Sequence, residues 1–116
     1  MRIAIVGSRH YPDLERVEAH VAGLPEGTTL VTGSASGVDA AAIRSARARN
    51  LPLVRLPASL EEGSDPKLAA ERNRKLVEQA DVLVAFWDGS SEGTRHTVDR
   101  ALDAGKEIHV YVARPN

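Results

Sequence analysis

The feature that most restricts the fold is an alternation. Short apolar runs take turns along the chain with longer Ala-, Glu- and Arg-rich stretches of helical period. Parallel strands cannot be joined by tight hairpins, and an amphipathic helix between each pair of strands supplies the crossover they need. The pattern predicts strands at Arg2–Val6, Thr29–Thr32, Leu53–Leu56, Val82–Phe86 and Ile108–Val112. Helices are predicted at Asp13–Leu24, Val38–Asn50, Pro66–Ala80 and Thr94–Ala104. The expected fold is therefore α/β, one doubly wound domain over residues 1–116 with a five-stranded parallel sheet and helices on both faces, and the strand order adopted for it is 3-2-1-4-5. In the second helix Ala41, Ala42 and Ala46 fall on the sheet side and allow close packing. Pro57 to Asp65 carries no period and reads as a loop.

Composition narrows the chemistry. With 42% apolar and 27% charged residues the chain has the make-up of a globular domain. It has no cysteine, which excludes thiolate nucleophiles, disulfides, Cys-ligated zinc and iron–sulfur clusters. No cofactor or metal is expected. The formal net charge is −1, and no basic stripe interleaved with aromatic residues is present. On that electrostatic ground nucleic acid is not expected as a partner. Ile3 to Val6 is too short for a signal-peptide core and Val82 to Trp87 too short to span a bilayer, so no membrane partner and a cytoplasmic location are expected.

Ligands of open parallel sheets bind beyond the carboxyl ends of the strands, at the crevice where strand order reverses. In this chain those ends carry Gly7-Ser8-Arg9, then Gly33-Ser34-Ala35-Ser36-Gly37, then Asp88-Gly89-Ser90-Ser91-Glu92-Gly93-Thr94. Glycine lets backbone close on a ligand, and a helix N-terminus offers unpaired N–H groups and partial positive charge. Either glycine loop can hold a phosphate; either can equally be a capped βα turn. Asp39 fits a capping box begun by Ser36, and alternatively contacts a ligand such as a ribose hydroxyl. Arg72 and Asn73 fall inside the apolar arc of the third helix, set by Leu68, Ala69, Leu76, Val77 and Ala80. Arg72 must there find an acid, a carbonyl or an anion, or else snorkel outward. Arg95 stands on the first turn of the last helix, near any phosphate held there. Trp87, the one tryptophan, either stacks on a base or packs under the next loop.

These residues resemble the small Rossmann-like SLOG proteins of the YspA-like and YpsA-related branch. The matching pieces are Gly7-Ser8-Arg9, the segment Thr32 to Asp39, Arg72-Asn73 and the segment Ala80 to Thr94. The resemblance implies a domain that binds a nucleotide or nucleotide-derived phosphorylated molecule in these loops as a sensor or binding module. It also implies a homodimer or larger assembly. The same superfamily includes nucleoside 5′-monophosphate phosphoribohydrolases and the single-strand-binding DNA-processing protein A family, which stand as the alternatives. Aligned on Gly93-Thr94, the phosphoribohydrolase motif puts Thr97 where its catalytic glutamate would be. Only Glu92, Asp88 or Asp39 is then left nearby to stabilise a cationic sugar.

Overall fold

The computed structural model describes residues 1–33, 37–56 and 66–113, with backbone alone at 66–69. Its elements are β1 (Arg2–Gly7), α1 (Leu14–Ala22), β2 (Thr29–Thr32), α2 (Val38–Ala48), β3 (Leu53–Arg55), α3 (Pro66–Gln79), β4 (Val82–Trp87), α4 (Glu92–Asp103) and β5 (Glu107–Val112). The strands form a five-stranded sheet in the order β3-β2-β1-β4-β5. All four pairings are parallel. The expected fold class and strand order are both present.

The period-two geometry of a strand divides the apolar residues between two cores. Ile3 and Ile5 of β1, with Val82, Val84 and Phe86 of β4, face α1 and α2 and meet Val17, Val21, Val38, Ala41, Ala42 and Ala46. Ala4 and Val6, with Leu83 and Ala85, face the other way onto Leu76, Val77, Ala80 and Ala101. Residues of β1 and β4 are thus buried on both faces, which is why these strands read as continuous apolar runs. Ala41, Ala42 and Ala46 of α2 are completely buried, as close packing requires. At the carboxyl end of the sheet, Phe86 stacks on Tyr111 with ring centroids 5.2 Å apart and meets the edge of Tyr11 at 5.6 Å.

Helix ends differ from the periodic reading for local reasons. Helix α1 stops at Ala22 because Gly23 caps it, with its N–H shared among carbonyls of the last turn. In α2, Arg49 is the C-cap and Asn50 turns out of the helix with φ 55°. At the start of α4, Ser91 rather than a later residue is the N-cap, its hydroxyl accepting from the Thr94 N–H. The helix therefore begins at Glu92 and takes Gly93 into its first turn. The segment Pro57 to Asp65, and Ser34 and Ser36 of the glycine loop, lie outside the described residues.

Candidate functional site

The carboxyl ends of β1, β2 and β4 come together, and the turns after β1 and β4 are each held by their own chemistry. After β1, Gly7 lies against the β4 backbone and α2. A Cβ there would stand 2.6 Å from the Phe86 carbonyl oxygen and 2.6 Å from Val38 Cγ2. Ser8 is buried; its N–H donates to the Phe86 carbonyl at 3.0 Å and its hydroxyl accepts from the Asp88 N–H at 3.0 Å. Ser8 thereby ties the first turn to the third. Gly37 is the N-cap of α2, with φ 69°, and a Cβ there would fall 2.4 Å from the Arg9 carbonyl oxygen.

Asp88 organises the turn after β4. Its Oδ1 accepts from the N–H groups of Ser90 and Ser91, each at 2.8 Å. The hydrogen bond from the Ser90 N–H, aided by that from Ser91, holds the Asp88 carboxyl below the usual carboxylate range. Gly89 follows with φ 89°, and Ser90 is exposed. Trp87 donates its Nε1–H to the Ser91 carbonyl at 2.9 Å, so the indole braces the loop that leads into α4.

Within these turns lies a cavity with about 180 Å³ open to the centres of water-sized groups. Of the residues singled out from sequence, Gly7, Arg9, Gly33, Asp39, Arg72, Asn73, Ser91, Gly93 and Thr94 line it. Ser8, Gly37, Trp87, Asp88, Gly89 and Ser90 stand outside it and shape the turns. Arg95 also stands outside, its side chain 67% exposed and 4.0 Å from Asp99. One residue past Thr94 is a rotation of about 100° around the helix, and that carries Arg95 off the cavity wall.

Three lining residues were missed: Val6, Leu76 and Thr97. Thr97 and Leu76 are sheet-facing by period and follow Thr94 and Asn73 by one helical turn, a spacing that could have placed them on the same wall. The Thr97 hydroxyl donates to the Gly93 carbonyl at 3.0 Å. Asp39 is the single carboxylate on the wall among the described residues, and it is buried, with 8% of its surface exposed. With Gly37 as N-cap, Asp39 is the second residue of α2; the Ser36 half of the expected capping box lies outside the described residues.

The charged centre of the cavity is arranged around Gly33. A Cβ on Gly33 would lie 2.8 Å from Asp39 Oδ2, so the missing side chain is what leaves room for that carboxylate, while Arg72 Nη1 stands at ordinary contact distance, 3.8 Å, from the same point. Arg72 reaches this point from α3, and its buried Nε has no hydrogen-bond partner. Buried donors are nearly always paired, because an unmade hydrogen bond costs about 1–3 kcal/mol.

A parallel sheet in this order, with glycine-containing turns gathered around one cavity at its carboxyl edge, defines a Rossmann-like α/β domain. The family described as "YspA, cpYpsA-related SLOG family" matches residues 1–63, and the chain belongs to that family. No curated protein matches it by sequence. Among solved structures it is similar to DNA processing protein A from Streptococcus pneumoniae, with TM-score 0.80 and 20% identity over 94% of this chain and 49% of that one. It is also similar to DNA processing protein A from Helicobacter pylori, with TM-score 0.77 and 20% identity over 100% of this chain and 67% of that one. The C-terminal domain of a Pyrococcus furiosus hydrogenase is a further match, with TM-score 0.56 and 15% identity over 94% of this chain and 89% of that one. The chain spans about half the length of the S. pneumoniae protein.

One expectation is corrected by these matches. The H. pylori structure was described for its single-stranded DNA binding mode, so this fold occurs in a protein that binds nucleic acid. The exclusion of nucleic acid from net charge therefore fails. Net charge sums the whole chain, whereas a phosphate responds to the field within about a Debye length, roughly 8–10 Å at ordinary ionic strength. At the cavity that local field includes Arg9 and Arg72. As to membranes, no helix among the described residues is long and apolar enough to cross one.

Proposed function

We propose that this domain binds a phosphorylated nucleotide-type ligand in the cavity walled by the carboxyl ends of β1 and β2, the first turns of α2 and α4 and the middle of α3. The observation that carries the reading is the buried Arg72 Nε, a charged donor on the cavity wall with no acceptor. An anionic ligand supplies that acceptor through a charge-assisted hydrogen bond. Arg9 adds a second positive charge, and the first turn of α4, which Gly93 leaves uncovered, adds the partial charge of a helix N-terminus. Membership of the SLOG family and the likeness to DNA processing protein A support a nucleotide-related ligand.

The reading is binding rather than cleavage. Hydrolysis of a glycosidic bond commonly employs two carboxyl groups, one of them beside the cationic sugar. Asp39 is the one carboxylate lining the cavity among the described residues, and at the position of the expected glutamate stands Thr97, whose hydroxyl is bonded to backbone.

The test is a melting-temperature and product-release screen with nucleoside monophosphates, ADP-ribose, dinucleotides and short single-stranded oligonucleotides. A mononucleotide at one hundred times its dissociation constant should stabilise the domain by about 2.7 kcal/mol without releasing free base. Release of base makes the domain a hydrolase. Stabilisation by oligonucleotides alone replaces the reading with strand binding, and no response from any compound contradicts it.

A further inference from the structure

Granted the binding function proposed above, we infer that the cavity recognises the ribose 5-phosphate unit of its ligand and leaves the base outside. Size is the first reason. About 180 Å³ open to the centres of water-sized groups, set against the roughly 30 Å³ that one water occupies in the liquid, is room for about six waters. That is the scale of a sugar phosphate, so the base of a whole nucleotide is expected at the open mouth of the cavity.

The wall chemistry is the second reason. No aromatic ring lines the cavity among the described residues, and the nearby Trp87 is committed through its Nε1–H to the Ser91 carbonyl. A base seated inside would have no ring to stack on.

The third reason is the charge pair over Gly33. Asp39 Oδ2 and Arg72 Nη1 both lie within 4 Å of the point where a side chain on Gly33 would begin. A sugar hydroxyl is donor and acceptor at once, so it can donate a hydrogen bond to the carboxylate and accept one from the guanidinium. A carboxylate offers about four lone-pair sites, enough to receive a vicinal pair of hydroxyls alongside the contacts Asp39 already makes. A bare phosphate would instead be repelled by Asp39, which places the phosphate away from that oxygen and the 2′ and 3′ hydroxyls next to it.

Calorimetric titration with inorganic phosphate, ribose 5-phosphate, 2-deoxyribose 5-phosphate, AMP and CMP tests this on the wild-type chain and on Asp39→Asn, with apo melting of both as the folding control. Ribose 5-phosphate, AMP and CMP should bind within about threefold of one another, and 2-deoxyribose 5-phosphate at least about tenfold more weakly, as expected for one lost hydrogen bond to a charged group. Asp39→Asn should reduce that sugar preference to about twofold, because the amide keeps one acceptor and loses the charge. Equal binding of the two sugar phosphates by the wild type, or AMP and CMP differing by more than about tenfold, overturns the inference while the phosphate site stands. If no phosphate compound binds, the parent reading fails with it.

Discussion

Arg72→Met is expected to leave the apo domain as stable as the wild type or slightly more so, and to weaken the best nucleotide ligand by about ten- to more than a hundredfold. Methionine keeps the aliphatic bulk on the inner face of α3 and removes the buried Nε that has no acceptor. An unsatisfied buried donor costs about 1–3 kcal/mol, so its loss does not weaken the fold. The affinity loss follows from the charge-assisted bond the ligand would make there, worth roughly 1.5–3 kcal/mol. Melting of the apo variant beside its binding isotherm checks both halves. If the guanidinium instead serves a buried acid, the substitution strands that acid and costs about 3–5 kcal/mol of stability. A strongly destabilised variant that still binds normally would refute the ligand role.

Gly37→Ala should cost about 2–6 kcal/mol of folding stability. Two independent penalties meet at this residue: a side chain held at φ 69°, and a Cβ 2.4 Å from the Arg9 carbonyl oxygen. Backbone strain of this kind costs about 1–3 kcal/mol and overpacking a further 1–3. The obstructing atoms belong to backbone, so no rotamer change relieves the clash. Relief requires α2 and the turn after β1 to separate, which also moves Arg9 away from the cavity. The denaturant midpoint reads the effect directly, and thermal unfolding should shift down on the order of 10 °C. A change below about 0.5 kcal/mol, the size of a neutral surface substitution, would mean that the turn yields easily.

Much of the fold was legible because periodicity carried it. Val82 to Phe86 reads as a strand buried on both faces, and the intervening helices require parallel crossovers, whose right-handedness fixes which face each helix covers once the strand order is set. Helix starts were less legible. Ser91 and Thr94 are both acceptable caps by type, and what selects Ser91 is the geometry of the preceding turn, where Asp88 already binds the Ser90 and Ser91 N–H groups.

The cavity wall was legible where glycine and buried charge converge, at Gly7, Gly33, Arg72 and Thr94. Direction was legible too, since the helical period puts Thr94 and Thr97 on the sheet side and Arg95 on the flank, as found. What misled was charge, which drew Arg95 into the candidate site and left Thr97 out. The electrostatic argument against nucleic acid failed for a related reason: a summed charge has no position, whereas Arg9 and Arg72 act at one edge of the sheet.

The most direct measurement of the central claim is the change in backbone amide chemical shifts as a nucleoside monophosphate is added to the isotopically labelled domain. Binding at the carboxyl edge of the sheet predicts saturable shifts concentrated at Gly7, Arg9, Gly33, Asp39, Gly93 and Thr94. The amides of Arg2, Thr28 and Asp81, at the opposite edge, should stay unmoved. Saturable shifts centred on that opposite edge or along β5, with the cavity amides unchanged, would contradict the account.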